Sequence, residues 1–403
     1  MADVAATVLP PGKTTHLAIV GGLAMGPAVG LGLGRFAYAL LLPAMRADLG
    51  WSYAQAGALN TANAAGYLIG AMIAAPVAAR FGDKRAFLVG LVVATASLLA
   101  NGLSGHYAVL AVLRAVAGSA GALSLITGGA LASAAGGGGG RGRPALALGI
   151  YFGGAGFGMV VSATVVPVMV ADLGWRSGWL GLGLLGVAAI AAALPGLART
   201  PDVAASEAVR GPALSLRPIR GLHAILVSYV LFGAGYIAYT TFIVAYLRNR
   251  LGFGAGDVTL FWACAGLAAT GAGLVWGPLL SRLSGGRGVA LANAVVMLGA
   301  TLPVLLPDRA AVFASAVIFG GSFLIVPTSV TAFVRKAVAA RMWTGAIAAL
   351  TVGFAIGQCI GPWVSGVVSD SSSGVAGGLL LSGGVLACAA LIALVQREPR
   401  AIQ

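Results

Sequence analysis

The sequence predicts an all-α membrane protein of twelve transmembrane helices, arranged as two pseudo-symmetric six-helix halves. Three observations carry that expectation. Hydrophobic residues make up 59% of the 403-residue chain and charged residues only 8%, whereas soluble domains carry about 25% charged residues. The apolar residues are gathered into runs of about 20 or more, the length a helix needs to cross a bilayer. The charges are gathered into the short intervals between those runs.

The runs fall at 17–42, 54–79, 86–104, 107–133, 145–170, 178–198, 221–247, 258–281, 288–306, 310–333, 343–368 and 375–396. Gly and Pro recur inside them, as membrane helices tolerate. A membrane barrel would instead alternate apolar and polar residues over segments of about ten. The longest polar interval, 199–220, holds Pro201, Pro212 and Pro218 among mixed charges. It divides the chain into an N-terminal half (1–198), a cytoplasmic linker (199–220) and a C-terminal half (221–403). The halves echo one another. APVAARFGDKR (75–85) follows the second run and GPLLSRLSGGR (277–287) the eighth; GIYFGGAGFG (149–158) lies in the fifth and GFAIGQCIGP (353–362) in the eleventh. Related six-span halves are the arrangement of secondary transporters, with the substrate bound between them near the midplane. Glycines four apart, Gly149 with Gly153 and Gly353 with Gly357, read as surfaces for close helix packing.

The net charge of +14 does not call for nucleic acid. With the N-terminus inside, 17 of the 24 Lys and Arg residues fall in cytoplasmic intervals. Five (Arg46, Arg176, Arg248, Arg250, Arg309) fall outside, and Arg35 and Arg114 are left over. That bias is the positive-inside rule, and it puts both termini in the cytoplasm. The expected location is a bacterial inner membrane, with the first span retained rather than cleaved as a signal. Cys264, Cys359 and Cys388 all fall within spans without ligand spacing, so neither disulfide nor metal site is expected.

The chemistry concentrates on the two leftover arginines. All ten acidic residues lie outside the apolar runs, while Arg35 and Arg114 lie inside them. A guanidinium near the middle of a membrane helix costs about 2.5–3.5 kcal/mol on insertion scales. Each stands about seven residues from the outer end of its span, roughly 10–11 Å below the hydrocarbon surface at 1.5 Å per residue. Two forks at equal depth without a carboxylate partner predict an anion supplied from outside the chain, since arginine donates paired hydrogen bonds to carboxylate or phosphate.

Several strings resemble the major facilitator superfamily, and the resemblance spans essentially the whole chain. RFGDKR (80–85) is similar to that family's motif between spans two and three, with departures: Ala79 stands where an Asp is usual and Asp83 where a basic residue is. The second copy has Ser281 at the Asp position. RAVAGSAG (114–121) resembles the fourth-span motif. The fifth-span antiporter motif is matched in part, with Gly154 in place of its Pro. More narrowly, GLGRFAYALLLPAM (32–45), AGALNTANAAGYLIGA (56–71) and FGAGYIAYTTFI (232–243) resemble the bacterial YbfB/YjiJ-type branch. The resemblance implies that spans one, four, seven and ten line a central cavity, with two, five, eight and eleven beside them. Arg35 and Arg114 are then both on cavity helices. It also implies a competing role in structure or proton coupling for Arg114.

The candidate substrate-binding residues are Arg35, Tyr38, Asn60, Asn63, Arg114, Tyr151, Tyr236, Tyr239, Thr240 and Gln358. Tyr38 shares a helical face with Arg35 and Asn60 with Asn63; the competing reading of each polar residue is an interhelical hydrogen bond. Thr61 extends the second-span cluster, and Trp262 reads as packing. The glycine run 136–140 lacks the Lys-Ser/Thr of a phosphate loop. No nucleophile–base pair or carboxylate pair occurs, so the chain is expected to be no enzyme and to need no cofactor. The expectation is a monomeric secondary transporter of a small molecule, an organic anion first, working by alternating access. Without buried carboxylates or histidines, a proton would travel on the substrate, or one anion would exchange for another. The alternatives are proton-coupled efflux of sugars, drugs or other amphiphiles, and a non-transporting sensor or channel-like protein.

Overall fold

The computed structural model describes residues 13–136, 143–200, 221–339 and 342–397. The linker from 201 to 220 and the glycine run beyond Gly136 lie outside the described residues. Among the described residues, twelve helices follow one another: α1 (Leu17–Leu49), α2 (Tyr53–Phe81), α3 (Asp83–Leu103), α4 (Tyr107–Gly136), α5 (143–173), α6 (175–199), α7 (His223–Asn249), α8 (Ala255–Ser281), α9 (Arg287–Leu305), α10 (Arg309–Ala337), α11 (Trp343–Ser369) and α12 (Gly374–Val395). They coincide one for one with the twelve apolar runs. Helices α5 and α6 are continuous except at Gly174, whose φ of 81° and ψ of 175° turn the chain back. A residue with a Cβ would be strained there.

Local chemistry fixes the ends. Gly50, at φ 66°, stops α1 in the left-handed region. Ser52 and Gln55 then form a reciprocal capping box that starts α2. Asp308 caps α10 by accepting from the Ala311 N–H at 2.9 Å. Helix α1 is not regular: Ala28–Phe36 is π-helical, and the Ala37 N–H donates to the Gly32 carbonyl. A π segment inserts one residue and re-aims the side chains after it. Arg35 lies within it.

Small residues set the packing, as expected where lipid removes the hydrophobic drive between helices. The contacts recur in pairs, one in each half. A Cβ at Gly66 (α2) would stand 1.9 Å from the Ala115 carbonyl of α4, and one at Gly320 (α10) 2.3 Å from the Ala265 carbonyl of α8. A Cβ at Gly154 (α5) would meet the Ala24 carbonyl of α1 at 2.0 Å, and one at Gly357 (α11) the Val230 carbonyl of α7 at 1.9 Å. Gly186 faces Thr95 between α6 and α3, as Gly383 faces Thr301 between α12 and α9. The halves meet through α2 with α11 and α5 with α8, where Gly57 abuts Pro362 and Gly156 abuts Gly266 and Thr270. The expected pair Gly353 and Gly357 does lie in a tight contact. Gly149 does not, having nothing within 4 Å, and Gly153 meets only the Thr270 methyl at 3.5 Å. Close packing in α5 falls instead to Gly154, Gly156 and Gly158, because those glycines point at α1 and α8.

Candidate functional site

Both buried arginines are enclosed, Arg35 at 3% and Arg114 at 1% exposure, but their surroundings differ. Arg114 is tied into its own half. Its Nη1 donates to the Gly34 carbonyl and its Nη2 to Asn60 Oδ1 at 3.2 Å. Its guanidinium lies over the Tyr38 ring at 4.7 Å and the Trp179 ring at 5.5 Å. Asn63 Nδ2 donates to the Arg114 carbonyl at 3.0 Å, fixing α4 on α2. These groups make a clamp on α1, α2, α4 and α6, with cation–π attraction strengthened by the dry surroundings.

Arg35 instead reaches across the halves. Its Nη2 donates to Gln358 Oε1 of α11, and Gln358 Nε2 donates to the Tyr236 hydroxyl of α7 at 2.9 Å. Tyr67 of α2 presents its ring 5.4 Å from the guanidinium. The Arg35 Nε–H, on the same edge of the fork as Nη2, is buried and has no hydrogen-bond partner among the described residues. The Arg114 Nε shares that lack, but both of its terminal nitrogens are engaged within the N-terminal half. The Arg35 charge rests on a neutral amide oxygen and a ring face. Elsewhere, near helix ends, Arg176 pairs with Asp48 at 3.4 Å and Arg309 with Asp257 at 2.5 Å.

Further cross-half bonds run along one face of α2. Asn60 Nδ2 donates to Thr241 Oγ1 of α7 at 2.6 Å, and Thr61 Oγ1 to the Cys359 carbonyl of α11 at 2.7 Å. At the end of that face, the Asp370 carboxylate accepts from the Tyr53 N–H at 2.7 Å and the Ala54 N–H at 2.9 Å. Asn249 of α7 donates to the Tyr53 hydroxyl at 3.2 Å. Residues 53, 57, 60 and 61 fall on one stripe of a 3.6-residue helix, so α2 and the C-terminal half close as a seam down to Arg35.

Of the ten sequence candidates, Arg35, Gln358 and Tyr236 come together as one chain, and Arg114, Asn60, Asn63 and Tyr38 as the adjoining clamp. Tyr38 turns its hydroxyl to the Ala56 carbonyl at 2.8 Å. The other three lie apart. Tyr151 donates to the Leu125 carbonyl and packs on Phe152; Tyr239 pairs with Ser315 of α10; Thr240 bonds back to Ile237 in its own helix. Sequence reasoning missed Tyr67, Trp179, Thr241 and Asp370. Tyr67 had a signal, standing four residues after Asn63 on the same helical face; Asp370 had none, since its partners are backbone groups over 300 residues away.

This architecture has known counterparts. The profile of the family described as "Uncharacterised MFS-type transporter YbfB" matches residues 27–394. The chain belongs to this family of major facilitator transporters. It is accordingly a multi-pass membrane protein that moves a small molecule, and not an enzyme. A chloramphenicol resistance protein of Streptomyces lividans is 27% identical over 373 residues, 90% of this chain and 92% of that protein. Among solved structures, a point mutant of the nucleoside transporter NupG aligns with a TM-score of 0.76 at 15% identity, over 94% of this chain and 99% of its own. A point mutant of the peptide transporter POT aligns at 0.74 and 15% identity, over 97% and 96%. A bacterial homologue of the human lysosomal transporter Spinster, inward-facing and unoccupied, aligns at 0.73 and 13% identity, over 96% and 97%. At such identities the likeness is one of fold.

Proposed function

We propose that this transporter carries a small organic anion, bound between the halves by the guanidinium of Arg35. The observation behind the reading is the Arg35–Gln358–Tyr236 chain. A buried guanidinium has only a neutral amide as acceptor, and the edge of its fork that faces that amide has a free N–H. A carboxylate replacing Gln358 Oε1 would take both Nε–H and Nη2–H, the bidentate geometry in which charge-assisted bonds are strongest. Displacing Gln358 also cuts the innermost link between α1 and α11. Occupancy is thereby tied to release of the seam, the step that rocking of two halves around a central site requires. Arg114, with Asn60, Asn63 and Tyr38, holds α1 against α4 so that Arg35 keeps its place. Tyr151, Tyr239 and Thr240 would act only from outside this contact shell. In this reading residues 1–198 and 221–403 are the moving bodies, joined by 199–220. The protein works as a monomer in a bacterial inner membrane with both termini cytoplasmic.

The test is thermal stabilisation of the purified protein against carboxylates, sugars and drugs. Saturable stabilisation by carboxylates that vanishes in Arg35→Gln is expected. Stabilisation by neutral or cationic compounds alone, unchanged in that variant, would overturn the anion reading. The second reading, efflux of a drug-like amphiphile, draws on the relative named for chloramphenicol resistance. Protection of cells expressing the protein, lost in Arg35→Gln, would support outward transport.

A further inference from the structure

The C-terminal half holds a feature that the anion reading uses only through the Tyr236 hydroxyl. Tyr229, Phe232 and Tyr236 of α7, Phe323 of α10 and Phe354 of α11 stand as a ladder of nearly parallel rings. The Tyr229–Phe354 centroids are 4.6 Å apart with planes 12° apart, Phe232–Tyr236 4.8 Å and 14°, Tyr236–Phe354 5.7 Å and 12°, and Tyr236–Phe323 6.0 Å and 16°. Membrane helix interfaces are normally built from small residues, as the glycine contacts elsewhere in this chain are. Aromatic residues make up only 7% of the sequence, yet six collect here in nearly one orientation, Phe319 of α10 lying 5.4 Å from Phe323 with planes 13° apart. Isolated aromatic pairs commonly meet edge to face; here the rings lie parallel across three helices, buried except for Phe354, so Phe354 is the face at which another flat ring can join the stack.

The ladder adjoins the Arg35 chain directly. Its Tyr236 hydroxyl accepts from Gln358, the residue that accepts from Arg35. Helices α7, α10 and α11 carry charge only at their ends, so the charge at this site comes wholly from the N-terminal half and the ladder wholly from the C-terminal half. A ligand matched to both is itself divided. We infer that the substrate is a flat aromatic or conjugated carboxylate, its head on the Arg35 fork and its ring parallel to Tyr236 and Phe354. This rests on the anion reading above and adds the shape of the body. Phe354 is the natural probe because it is only partly buried and closes the ladder from α11, one turn from Gln358.

The experiment measures binding to the full chain in nanodiscs for three probes: 2-naphthoate, the saturated decahydro-2-naphthoate, and neutral 2-naphthamide. The flat acid is expected to bind at least about tenfold more tightly than the saturated acid, the ratio that about 1.4 kcal/mol of ring stacking would give. Phe354→Leu, which keeps apolar bulk, is expected to cut that ratio to about threefold or less, and Arg35→Gln to weaken both acids together. Equal affinity for the two acids, both sensitive to Arg35→Gln, would overturn the aromatic inference and leave the anion reading standing. Naphthamide binding as tightly as naphthoate would overturn the anion reading and the charged head with it. If Phe354→Leu does not fold, Tyr236→Leu replaces it, and an undiminished ratio in whichever variant folds overturns the role of the ladder.

Discussion

Asp370 offers the sharpest test of the seam. Replacing it by Ala removes the acceptor of two backbone N–H groups, those of Tyr53 at 2.7 Å and Ala54 at 2.9 Å. It also removes a negative charge from the positive end of the α2 dipole. Deleting a side-chain acceptor from a helix N-terminus costs about 0.5–2 kcal/mol, and a charge at the dipole contributes about 0.3–1 kcal/mol when exposed. Asp370 is exposed, so the loss belongs near the lower part of that range, about 1 kcal/mol. Ser52 still caps α2 through the Gln55 N–H, so the helix itself remains formed. The bonds join α11 to α2, so the whole loss falls on the form in which this end of the bundle is closed. A change of about 1 kcal/mol shifts the closed-to-open ratio roughly fivefold. Spin labels at Ala47→Cys and Ser372→Cys, in a chain lacking its three native cysteines, read that ratio as a distance distribution. Asp370→Ala is expected to enlarge the long-distance population about fivefold, and Asp370→Asn, which keeps one acceptor oxygen, to fall between. An unchanged distribution in Asp370→Ala would refute the latch and the reading of α2 as a closing seam.

Two further outcomes follow from the packing and the clamp. Gly66→Ala places a Cβ against the Ala115 carbonyl, where 1.9 Å is available; overpacking of this kind costs about 1–3 kcal/mol, whereas Gly149→Ala, with nothing within 4 Å, is expected to leave the melting temperature in detergent unchanged. Arg114→Ala strips the Gly34 carbonyl and Asn60 of their donor and leaves Tyr38 and Trp179 facing a void. Unsatisfied buried groups cost about 1–3 kcal/mol each, so its melting temperature should fall well below that of Arg35→Gln, which loses a single bond to Gln358 and keeps a polar side chain. Equal melting of the two variants would remove the distinction between a structural and a ligand-facing arginine.

The candidate site was legible in part. The two arginines stood out because a membrane makes an unpaired charge expensive wherever it occurs, and Gln358 and Tyr236 stood out as polar groups inside apolar runs. Yet depth in the membrane did not separate Arg35 from Arg114, and only the family resemblance, which gives Arg114 a competing role in structure or coupling, favoured Arg35. What separates them is where their acceptors lie. Arg35 donates to the amide of Gln358, 323 residues away in the other half, while Arg114 donates to the Gly34 carbonyl and to Asn60 within its own. The glycines show the same limit at shorter range. In a helix as rich in glycine as α5, composition gives no phase, so Gly149 and Gly153 could not be told from Gly154 and Gly158 until the neighbours were in place.

The sequence alone determined the succession of spans, the division into two halves and the presence of buried cations without carboxylates. Those follow from hydrocarbon thickness and the cost of charge in lipid, which act on each segment by itself. The tertiary structure decided which arginine faces the other half. It also aligned the α7 rings with those of α10 and α11, and brought Asp370 to the start of α2. These depend on helix rotation and on contacts between residues far apart in the chain, where a shift of one residue around a helix, such as the π segment of α1 introduces, redirects every side chain that follows.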